Sequence, residues 1–252
     1  MTSILTTHVG SLPRSKELSE LLFAKDKGEE YSKEKFDEVL SLNVDQIVKR
    51  QLEVGIDFIS DGEMSKISYA TYIKDRIDGF SGESERRAPA DLDDFPEYKE
   101  KIAKSGGTPT YSRPCCTHEL KIKDEISLLN DISNFNTSLK KFNHTKAFMN
   151  AASPGVINVF MPNKFYNSDD DYLNKLSSIM ALEYEKITAA NIQVQLDCPD
   201  LALARHMNFK DLTEDEFLKR AEIQIECLNT ALENVDSEKT RMHICWGNYE
   251  GP

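Results

Sequence analysis

Long apolar runs are missing from this chain of 252 residues: no stretch approaches the roughly 20 consecutive apolar positions that a membrane-spanning helix needs. The amino terminus, Met1-Thr2-Ser3-Ile4-Leu5-Thr6-Thr7-His8, has neither a basic n-region nor an apolar h-region, which excludes a secretory signal there. Basic residues are in deficit, 31 against 43 acidic ones, for a net charge of −12. Nucleic acid and anionic membranes are therefore excluded as main partners, because phosphate binding needs a basic face. A small anionic substrate answers only to local charge and stays open. Cysteine is sparse and odd in number, five in all. Without an export signal, that usage points to reduced thiols in the cytoplasm rather than a disulfide framework. A Gly-x-Gly-x-x-Gly turn is also lacking, which removes the dinucleotide-binding fingerprint.

Short apolar strands alternating with amphipathic helices are what the sequence does contain, the pattern of an α/β fold with a parallel sheet. Strands are expected at Ile4–Val9, Ile56–Ser60, Cys115–Ile122, Lys146–Asn150, Ile192–Leu196 and Arg241–Cys245. Phe36, Leu40, Val44 and Ile47 recur at helical spacing within Lys33–Val54, and Gly55 is placed to stop that helix. Leu173, Leu176, Met180, Tyr184 and Ile187 share one face of a helix over about 170–190. Thr213 and Glu216 form a capping box that opens a helix with Phe217, Ala221, Ile225, Leu228 and Leu232 on its buried side. Between Phe80 and Pro114 a charged, proline-bearing insertion containing Gly106-Gly107 breaks the rhythm and reads as a solvated loop with one short helix. Polar residues follow the expected strands at Gly10-Ser11, Asp61-Gly62-Glu63 and Asp197, and lie within the last strand at His243 and Cys245. A ring of this kind at strand C-termini is where barrel enzymes keep their chemistry. Of the two competing architectures, an open doubly wound sheet and a single-domain (β/α)8 TIM barrel, the barrel is favoured, lacking its last two strand–helix units.

His243 and Cys245 are two apart on an extended strand, so they point to one side while Met242 and Ile244 point to the other, into packing. An imidazole with a thiolate suits Zn2+ better than magnesium or calcium. Two ligands do not make a tight site. The remaining ones lie either earlier in the chain or beyond Pro252, and strand packing is the plain alternative for an isolated His-x-Cys pair. Cys115, Cys116 and Cys227 read as buried packing, as does Cys198 beside Asp197. Asp61 reads as a helix cap. His8, His118, Asp200, Arg205 and His206 are weaker candidates for pocket walls.

Thr7-His8-Val9-Gly10-Ser11-Leu12-Pro13-Arg14, Ser60-Asp61-Gly62-Glu63-Met64, Gln195-Leu196-Asp197-Cys198-Pro199-Asp200 and His243-Ile244-Cys245-Trp246-Gly247-Asn248-Tyr249-Glu250-Gly251-Pro252 occur in this order. Together they resemble the catalytic domain of cobalamin-independent methionine synthase. The nearest likeness is to its short single-domain relatives, a group that includes epoxyalkane:coenzyme M transferase. Each motif alone is weak; the ordered set covers essentially the whole chain. The resemblance implies a (β/α)8 barrel in which zinc activates a thiol, with 5-methyltetrahydrofolate as methyl donor and homocysteine as acceptor. It implies His243 and Cys245 as metal ligands, Gly10 and Ser11 as the turn holding the amino-acid carboxylate, and Glu63 and Asp197 as the acids gripping its ammonium group. It assigns no catalytic acid. Family zinc sites add a glutamate and a second cysteine from later strands, which this sequence does not reach, and Glu250 is a poor substitute. Paired acids suit an ammonium better than the sulfonate of coenzyme M.

Two classes of function follow. One is a zinc-dependent methyltransferase of methionine biosynthesis, or an alkyltransferase acting on another small thiol. The other is a catalytically incomplete homologue whose open sheet needs a dimer contact, a partner chain or a completing C-terminal segment. A thiol- or folate-binding protein without turnover is a third, weaker class.

Overall fold

The helical periodicity of the sequence is realised in two helices of 21 residues, α2 (Lys33–Glu53) and α6 (Asp169–Ala189), which flank a parallel sheet. The computed structural model describes residues 4–84, 90–104 and 111–246. Serine hydroxyls cap α1 (Lys16–Lys27) and α2, with Ser15 accepting from the Leu18 amide and Ser32 from the Lys35 amide. Gly55, at φ +82°, follows the last turn of α2 and lets the chain reverse into β1 (Ile59–Ser60).

A hairpin-like excursion comes next, in which β2 (Ile77–Ser81) pairs antiparallel with β3 (Cys115–Ile122). The insertion between these strands carries α3 (Pro96–Lys104). Gly106-Gly107 lies outside the described residues. The chain returns through α4 (Ile126–Lys141) to β4 (Ala147–Ala152), then α5 (Pro154–Phe160), α6, β5 (Gln193–Asp197), α7 (Glu214–Ala231) and β6 (Thr240–His243).

The main sheet is parallel, in the order β1-β4-β5-β6. Beside β1, Thr7 adds one parallel bridge to Phe58, and the Thr6 amide and hydroxyl bond Asp57 Oδ2 at 2.8 and 2.9 Å. Four expectations need correcting. Ile4–Val9 is an extended segment with a single bridge rather than a strand; Ile4 is 93% exposed, so nothing draws those residues into a ladder. Cys115–Ile122 is a strand with the expected bounds, but it belongs to the separate antiparallel pair and not to the parallel sheet. Among the described residues the parallel sheet thus has four strands and the Thr7 bridge, not six strands. On α7, Ile225 is 41% exposed, while Gln224, Cys227, Leu228 and Ala231 are buried against α6 and its neighbours. Met242 and Ile244 face away from the pocket as expected, but they remain about half exposed instead of packed, since β6 is an edge strand.

Phe148, Met149, Val194 and Leu196 on the sheet, together with Leu176, Tyr184 and Ile187 on α6, are almost wholly excluded from solvent. A buried charge cluster sits beside this core. Arg76 reaches Asp131 at 2.6 Å and Glu183 at 3.0 Å, and the Tyr72 hydroxyl donates to Glu183 at 2.5 Å. Ser65 donates to the same Asp131 at 2.7 Å, which ties the loop after β1 to α4. All three charges are under 10% exposed, so removing the cation leaves two acids buried without their counter-charge. Arg76→Met is expected to cost about 3–5 kcal/mol of stability at pH 7, measured by urea unfolding against the unmodified chain.

Candidate functional site

Asp61, Gly62, Glu63 and Met64 form a tight turn directly after β1. Gly62 (φ +66°) and Glu63 (φ +57°) are both left-handed, and a Cβ on Gly62 would sit 2.8 Å from Met64 Cε. For Glu63, a residue with a side chain, that backbone costs about 1 kcal/mol or more. The turn is held on both sides: Asp61 Oδ1 accepts from the Glu63 amide at 3.1 Å, and Arg14 Nη2 donates to the carbonyls of Glu63 (2.7 Å) and Lys66 (2.8 Å). Asp61 is therefore a turn-capping acid rather than a helix cap. The strained turn directs the Glu63 side chain over the C-terminal ends of the parallel strands.

Those ends converge on a cavity of about 270 Å³, lined by Gly10, Ser11, Glu63, Asp197, His243 and Cys245 together with Tyr69. All six residues singled out in the sequence thus face one space, although they come from four segments far apart in the chain. Asp197 ends β5 and is the register partner of His243 on β6. The Ser11 hydroxyl donates to Glu63 Oε2 at 2.5 Å, so in this arrangement it is turned to the acid. Gly10 needs no unusual backbone, and a Cβ there would make only ordinary contact with Glu63 Oε1, at 3.5 Å. Arg241, one strand repeat before His243, covers the Phe148 ring at 4.2 Å and donates to Thr7.

Several contributors escaped the sequence reading. Asn150 on β4 donates through Nδ2 to Glu63 Oε1 and lies 3.4 Å from Asp197 Oδ2 and 3.1 Å from the Val9 carbonyl. Gln195, its register partner on β5, donates through Nε2 to Asp197 Oδ1 at 3.0 Å and to Val9 at 2.7 Å. Lys66 is buried, donates to the Asn150 carbonyl and stands 4.1 Å from the Tyr72 ring centre. The identity of a strand residue one step inside the sheet carries little signal by itself; only the register shows that two amides meet two acids.

Electrostatics follow from burial. Desolvation, followed by the neighbouring Glu63 charge, lifts Asp197 to about 7. Desolvation also raises Asp61 to about 6, and its effect exceeds the attraction of Lys66. His243 is pushed below its ordinary value by burial and then by Arg241, which favours the neutral imidazole that ligates metals. Tyr69 is shifted upward by burial and stays a neutral phenol.

The other sequence candidates fall away from the cavity. Cys115, Cys116, Cys198 and Cys227 are buried packing, and burial raises the Cys198 thiol. His118 is exposed beside Thr117, Arg205 bonds the Phe209 carbonyl, and His206 packs against Trp246 with ring centres 4.3 Å apart. Asp200 is buried, accepts from the Ser153 hydroxyl at 2.7 Å and abuts Gly155, where a Cβ would lie 2.0 Å from Asp200 Oδ2. Glu250 lies outside the described residues. A larger cleft of about 460 Å³ between α2 and α4 is lined by charges already paired with one another, as in Lys25–Asp75 (2.9 Å) and Lys33–Asp37 (2.6 Å).

Fold and pocket together define an α/β protein whose parallel strands present carboxylates and soft donors at their C-terminal ends. Residues 4–88 match the family model described as "Cobalamin-independent synthase, Catalytic domain". The chain is 25% identical over 250 residues to the methionine synthase of Sulfolobus acidocaldarius, covering 99% of this chain and 63% of that protein. It is 33% identical over 75 residues to a 5-methyltetrahydropteroyltriglutamate–homocysteine methyltransferase of Bifidobacterium longum, covering 30% and 10% of the two. The solved structure of a B12-independent methionine synthase from Shewanella sp. W3-18-1 superposes with a TM-score of 0.68 at 18% identity, covering 96% of this chain and 61% of that one. The chain is thus similar to cobalamin-independent methionine synthases and spans about 63% of the length of the Sulfolobus acidocaldarius protein that it matches.

The raised acids make a testable contribution to stability. Asp61 binds its proton more tightly folded than unfolded, so its penalty is absent below about pH 4 and complete above its folded value of about 6. Asp61→Asn keeps the oxygen that caps the Glu63 amide and removes the buried charge. It is expected to be more stable than the parent by about 2–3 kcal/mol at pH 8, with the difference vanishing by pH 4 in denaturant titrations.

Proposed function

We propose that this chain supplies the thiol-activating part of a methyl-transfer centre that moves a methyl group from 5-methyltetrahydrofolate to homocysteine in methionine biosynthesis. The observation that carries the reading is the convergence of Gly10, Ser11, Glu63, Asp197, His243 and Cys245 on one cavity. In this reading the parallel strands are staves of a (β/α)8 barrel.

The donor chemistry of His243 and Cys245 fits Zn2+: one imidazole held neutral and one thiol, alternate residues facing the same cavity. Among the described residues no cluster of three or more His, Cys, Asp or Glu is arranged to hold a metal; in this reading the pair is part of a larger ligand set. Bound zinc would supply a thiolate at neutral pH from a thiol whose free pKa is about 8.5. The remaining work belongs to the chain. Glu63 and Asp197 receive the ammonium group of the amino-acid thiol, and the Gly10–Ser11 turn receives its carboxylate. Pro199 and Leu203 give the same cavity an apolar wall. As the S–CH3 bond forms and the N–CH3 bond breaks, the electron pair goes to the departing nitrogen, which takes up a proton. Two acids at the pocket repel a sulfonate, which favours homocysteine over coenzyme M.

The open edge and the partial set of ligands favour one alternative: a homologue that needs a complementing segment before it turns over. Zinc analysis of the purified chain separates the readings. Tight binding of about one zinc per chain with homocysteine methylation supports the enzyme. Binding that appears only with a complementing partner supports the alternative, and binding in neither case overturns both. Cys245→Ser is expected to weaken any zinc bound by at least about tenfold, while leaving the unfolding midpoint of the metal-free protein unchanged, because Cys245 is only partly buried.

A further inference from the structure

Two carboxylates that share a pocket repel each other, and Glu63 and Asp197 are both about 95% or more buried. Something has to hold them in a common orientation. Among the described residues Asn150 is the one side chain that bonds both, through the same Nδ2. Its amide orientation is settled by chemistry: three acceptors surround it, Glu63 Oε1, Asp197 Oδ2 and the Val9 carbonyl, so the flipped amide would set oxygen against oxygen. Asn150 is 3% exposed, and its Oδ1 accepts no hydrogen bond among the described residues. A buried asparagine kept for stability would have both ends satisfied. Here every side-chain bond is spent on the acids and on the Val9 carbonyl next to Gly10.

The count of donors completes the picture. Glu63 is reached by Asn150 on one oxygen and Ser11 on the other, and Asp197 by Gln195 on Oδ1 and Asn150 on Oδ2, the two N–H groups of Asn150 being shared among Glu63, Asp197 and Val9. Each carboxylate oxygen keeps a free lone-pair site, and both side chains line the cavity. We propose that Asn150 is a positioning residue that clamps Glu63 and Asp197 into one acceptor pair, and that the clamp sets selectivity for thiols bearing a primary ammonium group. The inference rests on the proposed reading that the pair holds an ammonium.

The test is Asn150→Leu, close in size and without the amide. Calorimetric binding of L-homocysteine is compared with that of its des-amino analogue, 4-sulfanylbutanoate, which keeps the thiol and the carboxylate. The preference of the unmodified chain for the amino acid is expected to fall at least about tenfold in the variant, through loss of homocysteine affinity with the analogue changed less than about twofold. Equal weakening of both ligands, the signature of a general structural role, overturns the proposal, as does an unchanged preference. Ligand-free crystal structures of both proteins form a second arm: the Glu63 carboxylate is expected to swing away from Asp197 in the variant, and an unmoved pair overturns the clamp. If the unmodified chain shows no preference, the ammonium reading of the site fails, and the crystal structures alone decide whether Asn150 positions the acids. Should Asn150→Leu not fold, Asn150→Ser goes through both arms with the same expected direction.

Discussion

The site depends on keeping two carboxylates together out of water. An isolated buried carboxylate is costly enough that it takes up a proton instead of staying charged, and the lift of Asp197 to about 7 shows how near that limit the pocket operates. What holds the charge is a shell of neutral donors, Ser11, Asn150 and Gln195, with the Lys66 ammonium one residue layer behind. Neutral donors stabilise the ionised form without cancelling its charge. A pocket lined this way keeps an attraction for a cation that a direct salt bridge would have consumed.

The same constraint explains the backbone around Glu63. Its left-handed conformation is unfavourable, and the surroundings fix it from several directions: the Asp61 side chain, the Arg14 guanidinium on the carbonyls of Glu63 and Lys66, and the Ser65–Asp131–Arg76 connection to α4 and α6. The buried ion cluster adds little net stability by itself, since desolvation offsets much of its attraction. Its value is geometric, because it fixes the loop that aims Glu63. The stability of the core and the aim of the acid are therefore linked through Arg76.

The sequence disclosed a large share of this arrangement, and its failures have physical causes. Helices α2, α6 and α7 followed from spacing and caps, since the 3.6-residue period is local. The error over Cys115–Ile122 came from treating all apolar strands alike. That strand carries His118, Glu119 and Lys121, which a central parallel strand buried on both faces would not tolerate, whereas β4 reads Ala-Phe-Met-Asn-Ala-Ala and is buried throughout. Ile225, Met242 and Ile244 were assigned to packing because periodicity reports which residues share a face, not whether anything covers it. Asn150 and Lys66 carried no local signal at all. The place of Asn150 beside the acids is a product of register, Asn150 opposite Gln195 and Asp197 opposite His243, and register is decided by the whole sheet.

Register also links the soft donors to the sheet edge. β6 is the last strand of the parallel sheet and the one that bears His243, with Cys245 just beyond it. His243 and Cys245 line the cavity, while Met242 and Ile244 lie half exposed on the outer face. A strand added parallel to β6 would place its own inward side chains next to His243 and Cys245, and a helix following it would cover the outer pair. Under the proposed zinc reading, completion of the metal set and pairing at this edge would be one event, so metal affinity and edge pairing would report on each other thermodynamically. Two donors on a rigid strand hold a metal weakly. The same two donors, with further ligands fixed on the next strands, gain from every bond that orders those strands.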